Sequence, residues 1–282
     1  MGVVQRFGDH RRANALPSGC SESAVGVASR HDCPRIKGKE ERAPWLVQDL
    51  YSLKCSDVGS GYHQFCPVAK AMELLAERWT LLIVREMVSG SQQFNELRCG
   101  LPRMSPSLLS KRLQQLAQAG IVERQAEGSD IRYVLTPAGQ ELRPVVEALG
   151  TWGIRWIGEL GDEDLDPKLL LWDMHRNIDH SAVPEGRTVV QFRFPDAPTK
   201  ARDWWMVITA DDADVCDVDP GHPVAVTVSG SLRRMIEVWR GDSEWSDALG
   251  SGEIEVSGPE ALRRHLPRWF TLPVLASVPR PV

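Results

Sequence analysis

The stretch Met104-Ser105-Pro106-Ser107-Leu108-Leu109-Ser110-Lys111-Arg112-Leu113-Gln114-Gln115-Leu116-Ala117-Gln118-Ala119-Gly120 carries two patterns at once. Ser105 followed by Pro106 reads as a helix N-cap and a first-turn residue, and Gly120 closes the helix. Leu108, Leu109, Leu113, Leu116 and Ala117 recur at helical spacing and form one apolar face. Ser107, Ser110, Lys111, Gln114 and Gln118 share the opposite face. None of these is acidic, and all carry donors of the kind that meet base edges and phosphates. Residues 97–122 hold Arg98, Arg103, Lys111 and Arg112 and no acid at all, as a phosphate-facing surface would.

Working upstream, Pro67 opens a segment in which Val68, Met72, Leu75, Trp79, Leu82 and Ile83 recur every three or four residues. That spacing predicts one long amphipathic helix ending near Ser89-Gly90. A short helix follows from Ser91 to Arg98 with Phe94 and Leu97 inward, and Gly100-Leu101-Pro102 makes a turn. Downstream, Ile121 to Gln125 and Ile131 to Leu135 read as two strands around a turn that contains Gly128. Thr136-Pro137 then caps another helix, whose stripe is Leu142, Val145, Leu149, Trp152, Trp156 and Ile157. Pro144 inside it implies a kink or a loose first turn. Helix, helix, turn, helix, hairpin, helix is the order of a winged helix-turn-helix, with the recognition helix at 105–119 and the wing at 126–130.

Several motifs stand in the right order for one family. They are Cys66-Pro67, then Glu77-Arg78-Trp79-Thr80-Leu81-Leu82-Ile83, Phe94-Asn95-Glu96-Leu97, Met104-Ser105-Pro106, Leu109-Ser110-Lys111-Arg112-Leu113, and Leu135-Thr136-Pro137-Ala138-Gly139. Over residues 62–160 the chain resembles the HxlR-type, MarR-like bacterial transcription regulators. The resemblance implies a homodimer that binds double-stranded operator DNA and pairs through the first and last helices of this domain. In some members the cysteine of the Cys-Pro motif senses oxidants or electrophiles, which makes Cys66 a redox candidate. A small residue packed at a helix start is the plainer reading of Cys66. Ser105, Ser107, Ser110, Lys111 and Gln114 are the candidates for bases and nearby phosphates. Arg103, Arg112 and the wing residue Arg132 are the candidates for phosphates or the minor groove, with a solvated helix charge as the alternative for Arg112.

The remaining third differs in charge. Residues 161–282 hold 13 Lys/Arg against 21 Asp/Glu, so the net charge of −5 for the 282-residue chain belongs to this end. Leu169 to Ile178, Ser231 to Arg240 and Pro259 to Trp269 read as helices. Thr188 to Phe194, Trp204 to Thr209, Val215 to Val218, Val224 to Val228 and Gly252 to Ser257 read as strands, which gives an α+β domain. The stretches Met235-Ile236-Glu237-Val238-Trp239-Arg240-Gly241-Asp242 and Ala248 to Gly258 resemble sterol carrier protein type-2 domains, which enclose an apolar tunnel. Such folds hold lipids or other hydrophobic molecules, and a regulator that carries one is expected to use it to sense a hydrophobic small molecule. Trp204, Trp205, Trp239 and Trp245 are the candidate ligand residues, and an ordinary bulky core is the alternative. Neighbouring strand residues point to opposite faces, so Trp204 and Trp205 cannot both line one interior.

Composition narrows the rest. The chain is 42% hydrophobic and 25% charged, ordinary for a globular protein of two domains. Apolar runs such as Leu81-Leu82-Ile83-Val84 are too short to span a bilayer, so no membrane partner is expected. The first 30 residues lack a secretory apolar stretch. Cys20, Cys33, Cys55, Cys66, Cys99 and Cys216 form no C-x-x-C pair and no zinc spacing, which fits a reduced cytoplasmic compartment without metal. No G-x-S-x-G, Walker A or G-x-G-x-x-G motif occurs, and no cofactor or catalytic role is expected. The expected organisation is a poorly ordered extension over 1–61, a winged helix over 62–160 and a ligand-binding domain over 161–282. In an alternative reading, Cys66 does the sensing and the last domain is a structural or dimerising appendage.

Overall fold

The computed structural model describes residues 61–128 and 130–281. Apart from residue 61, the expected N-terminal extension lies outside the described residues, as do Cys20, Cys33 and Cys55.

The first half runs α1 (Pro67–Leu75), α2 (Thr80–Val88), α3 (Phe94–Gly100), α4 (Pro106–Gln118), β1 (Val122–Glu127), β2 (Asp130–Leu135), α5 (Pro137–Gln140) and α6 (Arg143–Trp156). The order is that of a winged helix-turn-helix. The single helix expected between Pro67 and Gly90 is instead two. Trp79 stands at φ +80°, in the left-handed region, and Thr80 starts a new helix behind it. The break resets the helical phase. Ile83, Val84 and Met87 become the buried set of α2, whereas Leu82, expected inward, is exposed. Trp79 offsets its strained backbone by packing against the core, with the Arg78 guanidinium 5.2 Å from its ring centroid.

The expected helix from Thr136 to Ile157 is also two. The Thr136 hydroxyl accepts from Gly139 N at 3.1 Å and caps α5, and Pro144 lies in the first turn of a separate α6. Here proline begins a helix rather than kinking one. Most of the apolar stripe of this segment stays outside the core of the chain. Leu142 packs inward, but Val145, Leu149, Trp152, Trp156 and Ile157 are exposed.

α4 follows its sequence closely. Ser105 Oγ accepts from Leu108 N, and Leu109, Leu113 and Leu116 enter a core with Ile83, Val84, Leu97 and Leu101. β1 and β2 pair antiparallel from Val122↔Leu135 to Glu127↔Asp130, and Gly128 enters the turn at φ +61°. Gln93 adds an antiparallel bridge to Arg132, which ties the hairpin to the start of α3.

The second half runs α7 (Pro167–Arg176), β3 (Thr188–Arg193), β4 (Asp203–Ile208), β5 (Ala213–Cys216), β6 (Val226–Gly230), α8 (Leu232–Arg240), α9 (Trp245–Gly250), β7 (Ile254–Ser257) and α10 (Glu260–Trp269). Only α9 has no counterpart in the sequence reading. The strands form one sheet in the order β5-β4-β3-β6-β7, with β3 and β6 parallel and every other pair antiparallel. Register places Val215, Met206, Val190 and Val226 side by side, with Trp204, Phe192 and Val228 in the next row. This face is covered by Leu171 and Met174 of α7, Met235 and Val238 of α8, Ala248 of α9 and Trp269 of α10. The mixed α and β content agrees with the expected class.

The two halves are in contact. Arg176 of α7 reaches Glu86 of α2. Arg233 of α8 donates to Leu160 O at 3.0 Å, and Leu275 packs over Gly150 of α6. No helix among the described residues is long and apolar enough to cross a membrane.

Candidate nucleic-acid interface

The outer face of α4 is built by the spacing that buries its inner face. With Leu109, Leu113 and Leu116 inward, helical geometry sends Ser107, Ser110, Lys111 and Gln114 outward, and all four are exposed. Lys111 and Gln114 have no protein partner among the described residues. Ser105 and Ser107 share a hydroxyl contact at 3.3 Å, so the helix start is ordered by its own side chains. The N–H groups of its first turn carry partial positive charge.

The arginines separate. Arg112 turns back into the protein, where it pairs with Glu77 and donates to Gln115 Oε1 at 2.6 Å. Its side chain is only 13% exposed. It is therefore removed from the set of outward cations, because an acid 35 residues earlier has taken its charge. Arg103 lies in the turn before α4 and donates to the carbonyl of Glu163. Arg132 stays exposed in β2 with Asp130 at 2.9 Å. One wing cation was missed. Arg124 is exposed on β1 opposite Tyr133, and no ion pair holds it among the described residues. Its position in the run Val122-Glu123-Arg124-Gln125 was the available signal.

The other candidates are placed as follows. Cys66 is the residue before α1, is partly exposed and makes no side-chain cap. Cys99 is buried, and burial pushes its thiol up to about 12, so it is inert by comparison. Trp204 and Trp239 are buried in the helix-covered core, and Trp245 packs against the same core. The Trp204 indole donates to Ala201 O at 2.9 Å, and that of Trp239 donates to Asp173 Oδ2 at 2.7 Å. Strand alternation turns Trp205 to the opposite face of the sheet, where it is partly exposed. The four candidate tryptophans thus divide three and one, with Trp204 and Trp205 on opposite faces as the alternation required.

The first half of this architecture has known relatives. The HxlR-like helix-turn-helix family model matches residues 74–160. The uncharacterized HTH-type transcriptional regulator YvaP of Bacillus subtilis is 37% identical over 98 residues, which cover 33% of this chain and 91% of YvaP. The chain belongs to the HxlR-like helix-turn-helix family. The HTH-type transcriptional regulator YodB of B. subtilis is 34% identical over 101 residues, or 34% of this chain and 89% of YodB. The solved reduced form of YodB covers 35% of this chain and all of its own, with 33% identity and a TM-score of 0.30. As a member of this family the chain is a bacterial, DNA-binding transcription regulator. The family match ends at residue 160, so α7 to α10 and their sheet are outside it.

The two arginine environments should separate in stability measurements. Arg112→Ala leaves Glu77 and Gln115 without their partner and is expected to cost about 1–3 kcal/mol in denaturant unfolding. Arg132→Ala removes an exposed pair and is expected to cost less than about 1 kcal/mol. Equal costs would show that Arg112 is not held as described.

Proposed function

We propose that this chain is an operator-binding homodimer in which each α4 enters a major groove and the domain over 161–282 responds to a hydrophobic small molecule. The observation that carries the DNA half is the acid-free outer face of α4, with Lys111 and Gln114 unengaged by protein. Ser107, Ser110, Lys111 and Gln114 meet base edges and nearby phosphates, and Ser105 orders the helix start. Arg103, Arg132 and Arg124 serve the phosphates on either side. Arg112 supports α4 from behind through Glu77.

A second copy accounts for α1 and α6. Neither has a fully buried residue within the chain, and both carry exposed apolar side chains. Phe65, Val68, Met72, Leu149, Trp152 and Trp156 are all exposed, and Trp152 is 58% so. Exposed large apolar side chains concentrated on two helices suit an interface, and a two-fold axis would set two α4 helices on one face of a duplex. The effector half rests on the resemblance of 165–275 to sterol carrier protein type-2 domains and on the mixed sheet roofed by helices. Trp204, Trp239 and Trp245 are the ligand candidates there, and Trp205 serves another face.

The Cys66 reading has one observation in its favour. The thiol stands at the start of a helix with no fully buried residue, on the surface assigned to the partner, where oxidation or alkylation would alter pairing.

Two measurements test these readings. In anisotropy titrations against duplex fragments that the protein selects from its genomic library, Lys111→Ala with Gln114→Ala is expected to weaken binding at least tenfold, about 1.4 kcal/mol. Unchanged affinity would remove the assignment of the α4 face. Tryptophan fluorescence of the full chain is expected to saturate at micromolar concentrations of a fatty acid, terpenoid or aromatic compound. No response across that panel would move control to Cys66.

A further inference from the structure

Glu86 belongs to α2, yet half of its partners lie in α7. Its Oε1 accepts from Arg85 Nε at 3.1 Å and Nη2 at 2.7 Å. Its Oε2 accepts from Arg176 Nη2, from the Trp172 indole N–H at 3.4 Å and from the Ser91 hydroxyl at 3.5 Å. Arg85 Nη2 also donates to Gly100 O at 2.9 Å, at the end of α3. The Arg176 guanidinium lies 4.8 Å from the Trp172 ring centroid and donates to Ser91 Oγ at 3.3 Å. A Cβ on Gly100 would fall 1.8 Å from Glu86 Oε2, so only a bare Cα admits the carboxylate against α3.

The group is buried, with 3% of its surface exposed. Burial by itself would raise its pKa. The guanidiniums of Arg176 and Arg85, with their hydrogen bonds, outweigh that and hold the carboxyl below its ordinary range. It is therefore an ionised group that needs donors from both halves of the chain. Arg176 and Trp172 lie beyond the segment shared with the family, so this arrangement is not part of the common helix-turn-helix. A second tie joins the same two halves, from Arg103 in the turn before α4 to the carbonyl of Glu163.

We infer that Glu86, Arg176 and Trp172 form a latch through which the second domain holds α2 and α3, and with them the base on which α4 is presented. With α7 in place, Glu86 is neutralised on both oxygens, and Arg85 is free to clamp Gly100 O. When α7 withdraws, Oε2 loses two donors at once and must recruit water or shift toward Arg85, which loosens the clamp on α3. A ligand that favours one position of α7 then biases the helix-turn-helix by its differential affinity for the two positions. The effect on DNA rests on the operator-binding reading above, whereas the latch itself does not.

Hydrogen exchange on the full chain tests the latch without DNA. Arg176→Met is expected to speed exchange at least tenfold in peptides covering both 167–176 and 80–104, with β3 and β4 unchanged. Trp172→Phe removes the indole donor and reduces the ring that faces Arg176, and is expected to give the same two-sided pattern at smaller size, which covers the case in which Arg176→Met fails to fold. Acceleration confined to 167–176 in both variants would overturn the latch. A duplex titration completes the test. Arg176→Met is expected to change affinity at least fivefold, while Lys111→Ala changes affinity and leaves exchange over 80–104 as it was. An unchanged affinity in a variant whose α2 and α3 exchange has risen would overturn the relay to α4.

Discussion

Glu86 carries a full negative charge into a site where 3% of it meets water, and the folded arrangement around it follows from that. Taking a carboxylate out of water is repaid only when its oxygens are filled by well-placed donors. Here the donors come from α2 itself, from the turn after it and from α7, and Gly100 leaves the space that lets the carboxylate reach them. Removing one partner of such a buried pair typically costs about 3–5 kcal/mol, because the other charge is stranded. The α+β domain is therefore not hung on a tether behind the winged helix. It supplies part of the winged helix's internal electrostatics.

Two other contacts support the same conclusion. Arg233 of α8 holds the connecting segment at Leu160 and Asp162, and Leu275 lies over Gly150 of α6. The helix that leads out of the DNA-binding half is thus gripped on its far side. This leaves the other sides of α1 and α6 apolar and uncovered, which is what a symmetric partner would require.

Much of this was legible in the residues. Ser105-Pro106 and the leucine spacing fixed α4, because a cap and an apolar period are local signals. The Trp204-Trp205 argument held because alternation is a property of the strand itself. The failures share a different cause. Nothing in the sequence marks Trp79 as left-handed, since a non-glycine residue there is held by packing and not by preference. The stripe of α6 was legible as an apolar face, but periodicity does not say what covers such a face. Arg112 seemed an outward cation because its partner, Glu77, is 35 residues away. The Glu86 cluster was invisible for the same reason, with Arg176 a further 90 residues along. Long-range charge pairing leaves no local pattern.

In the proposed dimer, two copies of α4, related by the partner surface on α1 and α6, engage one duplex. Hydroxyl-radical footprinting of a genomic fragment bound by the full chain tests it directly. The expected result is two protected patches about one helical turn, roughly 10 base pairs, apart. Trp152→Asp should lose the paired pattern together with the dimer seen in sedimentation. A single unpaired patch, or an intact double footprint from a monomeric Trp152→Asp protein, would contradict it.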